Sequence, residues 1–326
     1  MVSADGGRRG ALAALREAGR GRAHAVFRRR PAAAVTRAPI VLATCAAWPA
    51  LSPSDQRLAA ALIARGHRVE ATPWNGPAAP FTTAAAVVIR STWDYHEAPD
   101  AYLAWLSALD PARTFNTPPL IRWNLSKAHV IDLGARGAHI PRSLEVDADA
   151  DAISGALQAL GVDEAVIKPL IGASGAGVER VQRGGEVAAL ARARMRKTFD
   201  RVLVQEFMAE IEHGELAGVF FDGVFSHGLR RRPATGDFRV NTQHGGRKEA
   251  TDLEPAVVRA MSAVLGLLPE LPLYARVDGL LRGGRFVLME LEVNEPALGL
   301  DLVAPAAARF ADALLVRLPA LTNTSA

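Results

Sequence analysis

Hydrophobic positions between residues 38 and 109 form short runs that alternate with segments of helical periodicity. Three apolar runs of strand length lie at 38–44, 69–71 and 85–90. The segments after them place apolar side chains three and four positions apart, which predicts helices at 54–66, capped by Ser54, and at 99–109. Strands that alternate with helices favour a parallel sheet covered on both faces.

The rest of the chain mixes both periodicities after an interruption at 111–124, where proline and asparagine predict a loop and a domain boundary. Further helices are predicted at 127–134, 151–160, 186–197, 254–268 and 302–317. Strands are predicted at 166–169 and 202–205, as antiparallel strands within 215–248, and as a hairpin turning at Gly283-Gly284. We therefore expect an α/β protein with α+β lobes, divided into 38–120, 121–200 and 201–326.

Composition narrows the class of protein. Of 326 residues, 49% are hydrophobic and 22% charged, which is typical of a globular chain rather than a disordered one. The single cysteine, Cys45, excludes a disulfide framework and any multi-cysteine metal site. Since no apolar run reaches the roughly 20 residues of a membrane helix and no signal peptide is evident, we expect a cytoplasmic protein without a membrane partner.

Charge is concentrated at the N-terminus. Residues 1–37 hold nine arginines against two acidic residues, a net charge of +7, which leaves −3 for the rest of a chain whose total is +4. A basic arm could contact nucleic acid, but Phe27 is its only aromatic residue for base stacking. We interpret 1–37 as a disordered basic tail and regard a nucleic-acid partner as the weaker hypothesis.

Lysine is rare in this arginine-rich chain. The four lysines are Lys127, Lys168, Lys197 and Lys248. Lys168 ends a predicted strand and precedes a glycine-rich loop at 172–177 that includes Ser174 and Gly175. Glycines let backbone N–H groups approach phosphate oxygens, and lysine offers them a compact charge. The loop has neither the P-loop nor the dinucleotide spacing, so by itself it could equally be an ordinary turn.

An acidic hairpin is the second candidate site. Glu290, Glu292 and Asn294 lie on one face of a predicted strand that follows Arg276-Val277-Asp278. A two-residue turn at Gly283-Gly284 puts Asp278 on the opposite face, whereas a three-residue loop puts it on the same face. Oxygen ligands favour Mg²⁺ or Mn²⁺, and the alternative is a solvated acidic face.

Two further segments could bind a nucleotide and an anion. Gln205, Glu206, Phe207 and Met208 end a buried strand and are followed by Glu215, a pattern that could take a purine edge and a ribose or form an ordinary strand end. Arg231, Arg239 and Asn241 could clamp an anion or belong to a basic surface loop. At the end of the third strand, Arg90, Asp94 and Tyr95 could grip a substrate or complete the core.

Taken together and in this order, the motifs resemble the ATP-grasp superfamily over 38–318. The marks are Asn124-Leu125-Ser126-Lys127, the Lys168 glycine loop, Gln205-Glu206-Phe207-Met208, Arg239-Val240-Asn241, and Asp278 with Glu292-Val293-Asn294. Glutathione synthetases and D-alanine–D-alanine ligases share this order. Within the superfamily, Ser91-Thr92-Trp93-Asp94-Tyr95-His96 and Phe238-Arg239-Val240-Asn241 resemble the cyclo-ligases of D-cycloserine biosynthesis. The arginine-rich residues 1–37 depart from that pattern.

The resemblance implies an ATP-grasp fold with an N-terminal parallel-sheet domain, and a role for each matched residue. ATP would be held by Lys127, Lys168, Ser174, Gly175, Gln205, Glu206, Phe207, Met208 and Glu215. Mg²⁺ or Mn²⁺ would be bound by Asp278, Glu292 and Asn294, with Glu290 as an extra ligand. The catalytic contacts would come from Arg239, Asn241 and Arg231, and the substrate contacts from Arg90, Asp94 and Tyr95.

The activity implied is ATP-dependent ligation of a carboxylate to an amine through an acyl phosphate. The substrate would resemble an amino acid, such as O-ureidoserine, and the product amide could be cyclic. Relatives in the superfamily are often homodimers, so a dimer is one expectation. The alternative function is that of a non-catalytic, ATP-binding regulator or adaptor.

Overall fold

The computed structural model describes residues 38–195 and 197–318, and the predicted basic tail lies outside them. The described chain forms three sheets, one of four parallel strands and two antiparallel sheets of four and five strands. Within these residues no helix is both long and apolar enough to cross a bilayer.

The N-terminal sheet has the predicted parallel character, with the strand order β2-β1-β3-β4. Its strands are β1 (Ile40–Thr44), β2 (Val69–Pro73), β3 (Ala86–Ile89) and β4 (Thr114–Phe115). Its helices are α1 (Pro53–Ala64), α2 (Ala79–Thr83), α3 (Pro99–Ala108) and α4 (Pro118–Leu125). Ile40 and Leu42 belong to one hydrophobic cluster, and Val41 and Ala43 to another. Both faces of the sheet are therefore covered, as predicted.

Two local predictions in this region are wrong. Ser52, not Ser54, caps α1, because its side chain accepts a hydrogen bond from the Asp55 N–H. The predicted loop at 111–124 contains β4 and α4, since Thr117 caps a helix that starts on two prolines. The domain division expected after residue 120 consequently falls inside α4.

The second sheet is antiparallel, with the order β5-β8-β6-β7. Its strands are β5 (Ser143–Asp147), β6 (Glu164–Pro169), β7 (Glu179–Gln182) and β8 (Arg201–Glu206). The accompanying helices are α6 (Ala150–Leu160) and α7 (Glu186–Arg194), whereas α5 (His129–Ala135) contributes Leu133 to the hydrophobic core of the third sheet. Because α5 begins at His129, Lys127 precedes the helix rather than lying on it. Strand β8 belongs to this sheet although the expected domain division at 200–201 assigns it to the next domain.

The third sheet has the order β11-β10-β9-β12-β13 and is antiparallel throughout. Its strands are β9 (Glu215–Phe221), β10 (Val224–Arg232), β11 (Arg247–Thr251), β12 (Tyr274–Arg282) and β13 (Arg285–Glu292). Helices α8 (Pro255–Leu265) and α9 (Ala306–Arg317) follow β11 and β13 in the chain. One cluster contains Ile40 and Val88 of the first sheet together with Val219 and Phe310, so the first and third sheets share a core.

The β12–β13 hairpin combines the two alternatives that the sequence left open. Arg282 pairs with Arg285, so the turn has two residues, and Gly283 and Gly284 both have the positive φ that a type I′ turn requires. The register then shifts, because Gly279 pairs with Leu288 whereas Asp278 pairs with Glu290. The extra residue on β13 forms a bulge, which returns Asp278 to the face that carries Glu290.

Asn116 ties the first sheet to the third. Its side-chain amide donates to the carbonyl oxygens of Tyr274 (2.9 Å) and Val293 (2.7 Å), and its side-chain oxygen accepts from the Leu273 N–H (2.5 Å). Asn116 is 2% exposed, so bulk water cannot serve as an alternative partner for these backbone groups. Asn116 therefore satisfies buried polar groups that a smaller apolar residue would leave unpaired.

We predict that Asn116→Ala lowers the free energy of unfolding by about 3 kcal/mol, because buried backbone groups lose their partners. The measurement is the urea midpoint of the full chain. Asn75→Ala, at an exposed position of the same domain, is the control and should change stability by less than about 0.5 kcal/mol. Equal effects of the two substitutions would contradict this role of Asn116.

Candidate active site

A cavity of about 450 Å³ lies where all three sheets contribute walls. The first sheet supplies Arg90 and the loop after it, and the second supplies Lys168, Gln205 and the glycine loop. The third supplies Arg231 and the hairpin residues Glu290 and Glu292. The structure thus brings most of the predicted site residues around one space.

One end of the cavity is apolar. It is lined by Val166, Phe207, Met208, Ile211 and Met289. The Phe207 ring lies under the Arg180 guanidinium, 3.9 Å from its centroid, and Met208 is 2% exposed. A flat, largely apolar slot of this kind suits the faces of a purine ring.

Glu206 is more constrained than the sequence suggested. Its backbone N–H already donates to the Arg142 carbonyl (2.8 Å). Its carboxylate pairs with Arg142 and Arg282. Burial alone would raise the pKa of Glu206, but these two guanidinium groups lower it to about 2. The carboxylate is therefore ionised and occupied by protein groups.

Two lysines lie between the apolar slot and the acidic hairpin. Lys168 projects from β6 and donates to the Gln205 side chain (2.8 Å), and burial lowers its pKa. Lys127 is held by its backbone N–H, which donates to the Leu170 carbonyl, and its ammonium pairs with Glu290. Burial would lower the pKa of Lys127, but the Glu290 carboxylate raises it. Both ammonium groups are positioned for an anion such as a triphosphate.

Three carboxylates converge on the β12–β13 hairpin. Asp278, Glu290 and Glu292 each offer an oxygen, and these oxygens lie within 4.8 Å of one another. The bulge makes this possible, since it places Asp278 beside its two neighbours. Glu290 and Glu292 line the cavity, whereas Asp278 is fully buried behind them.

Protein cations compensate this acidic cluster. Arg276 pairs with Asp278 (2.7 Å) and Glu292 (2.6 Å), and Arg231 pairs with Asp278 (2.7 Å). Burial raises the pKa of Glu292, while the pKa of Glu290 is held far below its usual value by Lys127 and Lys168 against the effect of burial. The oxygens suit a hard divalent cation, which would have to share them with these arginines.

Glu215 and Asn294 adjoin the cluster and already have partners. The Glu215 carboxylate pairs with Arg231 (2.8 Å), and burial raises its pKa to about 7. The Asn294 side-chain oxygen accepts from the Tyr102 hydroxyl (2.7 Å), and its amide nitrogen has no partner among the described residues. The ribose contact of Glu215 and the metal contact of Asn294 therefore stay predictions.

Two loops meet over the cavity. The Ser174 hydroxyl accepts from the Gln243 side chain (3.2 Å), which joins the glycine loop to the segment before β11. Gly175 has a φ of +72°, and an added Cβ would lie 3.0 Å from the Asn241 side-chain oxygen, so the position has no room for a side chain. Arg239, on the second loop, is paired with Asp237 (2.8 Å). The two loops that cover the cavity thus carry Ser174, Gly175, Arg239 and Asn241, which were all predicted as site residues.

The three predicted substrate residues do not all line the same cavity. Arg90 and Tyr95 line the cavity, but Asp94 does not. Its carboxylate accepts from the Trp74 indole (2.6 Å) beside a second, smaller cavity on the other side of the turn. Asp94 is thus not among the residues that line the main cavity, and its contact with a substrate stays a prediction.

Arg90 itself is largely committed to the fold. It is 1% exposed, pairs with Asp55 (2.9 Å), donates to the Pro296 carbonyl (2.7 Å) and lies over the Tyr274 ring. These contacts join β3 to the third sheet.

Several residues that line the main cavity were not predicted from the sequence. They are Trp48, Ser52, Trp93, Lys248, Glu295 and Asp301. The Trp93 indole donates to the Glu295 carbonyl (2.9 Å), and burial raises the pKa of Glu295 to about 8. The rarity of lysine was a signal that could have drawn attention to Lys248.

Comparison with known proteins agrees with this geometry. Residues 40–116 match the family model of the N-terminal domain of D-cycloserine synthetase DcsG, and residues 139–273 match that of the ATP-grasp domain of prokaryotic glutathione synthetase. The chain is 32% identical to the cycloserine biosynthesis protein DcsG of Streptomyces lavendulae over 273 residues, which is 78% of this chain and 90% of that protein. It is 33% identical to a probable alpha-L-glutamate ligase of Xanthomonas oryzae, over 52% of this chain and 55% of that one.

Solved structures give the same result. The crystal structure of D-cycloserine synthetase DcsG superimposes with a TM-score of 0.76 at 28% identity, covering 86% of this chain and 99% of that one. The D-alanine–D-alanine ligase of Bacillus anthracis complexed with ATP shares the fold, with a TM-score of 0.60 at 18% identity over 86% and 98% of the two chains. The expected ATP-grasp fold is confirmed, and the chain belongs to the DcsG-like family of ATP-grasp ligases, ADP-forming enzymes that make C–N bonds.

Proposed function

We propose that the chain phosphorylates the carboxylate of an amino-acid-like substrate with ATP and joins the resulting acyl phosphate to an amine. The supporting observation is the single cavity that combines an apolar slot, two buried lysines and three converging carboxylates. The substrate we favour is O-ureidoserine or a close analogue, because a relative that matches 78% of this chain is a cycloserine biosynthesis protein.

The nucleotide would lie with its base in the slot of Phe207 and Met208 and its phosphates beside Lys127 and Lys168. The glycine loop, with Ser174 and Gly175, would cover the phosphates. Buried ammonium groups stabilise phosphate oxygens strongly, because little water competes with them. Gln205 would orient Lys168 through the hydrogen bond already present.

Mg²⁺ or Mn²⁺ would be held at Glu290 and Glu292, with Asp278 and Asn294 close behind. The residues fit such an ion by donor chemistry, since all are oxygen ligands and three of the oxygens lie within 4.8 Å. When bound, the ion would offset phosphate charge and polarise the phosphoryl oxygens. Arg276 and Arg231 hold the carboxylates of Asp278 and Glu292 in place through ion pairs.

Reaction at the carboxylate requires charge neutralisation and exclusion of water. A carboxylate is a poor acyl donor, because its oxide is a poor leaving group, and phosphorylation supplies a good one. Arg239 and Asn241 would contact the γ-phosphoryl group and the developing oxyanion, where one donor contributes about 3 kcal/mol. The meeting of the glycine loop with the Asn241 segment would protect the acyl phosphate from hydrolysis. Arg231 would contact the transferred phosphoryl group, although its guanidinium already pairs with Glu215 and Asp278.

We predict ADP release when the full chain is given ATP, Mg²⁺ and an amino acid from a panel of O-ureidoserine, D-alanine and L-glutamate. Mass spectrometry of the product distinguishes a cyclic amide, formed within one molecule, from a dipeptide formed between two. Absence of substrate-dependent ADP release from a broadened panel of amino acids would count against the proposal.

Lys168→Ala should reduce this ADP release at least a hundredfold, because the buried contact to the phosphates is lost. The matched control is Lys197→Ala, whose ammonium donates to the His96 carbonyl (2.9 Å) and does not line the cavity. Circular dichroism and the urea midpoint check that both variants fold. Full activity in the Lys168 variant would refute the assignment.

Glu292→Gln should raise the Mg²⁺ concentration needed for half-maximal activity about tenfold or more, since an anionic ligand becomes neutral. The control is Glu249→Gln, an exposed glutamate on β11. The measurement is ADP release against free Mg²⁺, repeated with Mn²⁺. An unchanged titration in the Glu292 variant would exclude this carboxylate as a ligand.

A further inference from the structure

Lys248 lines the main cavity but has no role in the proposed mechanism. It lies on the edge strand β11, directly opposite Arg231 of β10. The residue is partly buried. Its neighbour Arg247 has the opposite orientation on the strand and is exposed.

The ammonium group of Lys248 differs from the other three. Lys127 pairs with Glu290, Lys168 donates to Gln205, and Lys197 donates to the His96 carbonyl. Among the residues that the structure describes, Lys248 makes no side-chain hydrogen bond and no ion pair. Burial lowers its pKa, so its charge is partly dehydrated without a direct counter-ion.

The carboxylates around Lys248 compensate its charge only in part. Arg231 and Arg276 are nearby cations, and both are paired with carboxylates of the acidic cluster. Of the two acidic groups that influence Lys248, Asp55 is already bound to Arg90 and Ser91. The other, Asp301, is exposed at the edge of the cavity. The remaining positive charge favours an incoming anion.

Lys248 lies beside the arginines of the acidic cluster rather than beside the two phosphate lysines. Lys168 is influenced by Glu290, Lys127 and Glu215. Lys248 is instead surrounded by Asp301, Arg276, Arg231 and Asp55. Lys248 therefore adjoins the acidic cluster through Arg231, where a substrate carboxylate would have to lie to reach the phosphoryl group. Beyond Lys248 the wall is formed by Trp48, Ser52 and Trp93, which follow strands of the first sheet.

We propose that Lys248 binds the carboxylate of the amino-acid substrate, beside Arg231 and within reach of the phosphoryl group of the bound nucleotide. This inference rests on the proposed function and names a substrate-binding residue for it. A half-buried ammonium without a direct counter-ion gains a strong, charge-assisted hydrogen bond from a carboxylate, and gains much less from a neutral amide. Lys248 would thus select acids and place the carboxylate near Arg231, next to the hairpin.

The test compares each amino acid with its own carboxamide. The full chain, loaded with ADP and Mg²⁺, is titrated by calorimetry with O-ureidoserine, D-alanine and L-glutamate, and then with the corresponding α-carboxamides. We expect the wild-type protein to bind at least one acid about tenfold or more tightly than its amide. In Lys248→Met the affinity for the acid should fall to that for the amide, so that the preference for the acid disappears. ADP affinity should be unchanged.

Two variants control for charge and folding. Lys248→Arg keeps a cation and should retain part of the acid preference, whereas a purely structural role would not produce this rescue. Arg247→Met removes an exposed cation from the same strand and should behave as the wild-type protein does. A Lys248→Met protein that keeps its acid preference would overturn the proposal. So would a parallel loss of ADP affinity, which would place the contact on the nucleotide.

The outcomes also separate this inference from the ligase proposal. If acids bind and the preference depends on Lys248 but no ADP is released with ATP, only the ligase reaction is refuted. If ADP is released and Lys248→Met keeps its acid preference, only the role of Lys248 is refuted. A wild-type protein that binds none of the acids more tightly than its amide would overturn the carboxylate site as well.

Discussion

The site depends on the neutralisation of like charges at one hairpin. Three carboxylate oxygens within 4.8 Å of one another would repel strongly in a buried position. Arg276, Arg231 and Lys127 make this arrangement stable by pairing with Asp278, Glu292 and Glu290. Removing one partner would leave an uncompensated buried charge, which is far costlier than losing the pair as a unit. The cations therefore hold the carboxylates together and set the polarity of the cavity around them.

The three sheets are joined by polar contacts as well as by a shared core. Asn116 bridges the first and third sheets through backbone groups, and Arg90 reaches from β3 to the Pro296 carbonyl and the Tyr274 ring. These side chains fix the distance between the substrate end of the cavity and the acidic hairpin. A small change in that distance would separate the reacting groups, and catalysis by positioning is sensitive to such changes. This explains why a functional cavity is bordered by residues whose main contacts are structural.

Two observations distinguish the ends of the cavity chemically. At the nucleotide end the cations are already satisfied by protein oxygens, as in the contacts of Lys168 with Gln205 and of Lys127 with Glu290. At the other end Lys248 has no such contact within the described residues. Cations at both ends allow one cavity to hold two anions, a nucleotide and a carboxylate, because they offset the repulsion between them.

Much of this could be read from the sequence, because periodicity and local motifs report on local structure. The alternation of strands and helices gave the parallel sheet, and the order of Lys168, Gln205, Arg239 and Glu292 gave the family. Tertiary structure decided the rest. The bulge that brings Asp278 beside Glu290 is a register shift between two strands, which no single strand encodes. The outward turn of Asp94 and the unpaired charge of Lys248 likewise depend on neighbours distant in the chain, since burial and pairing exist only once the sheets have packed.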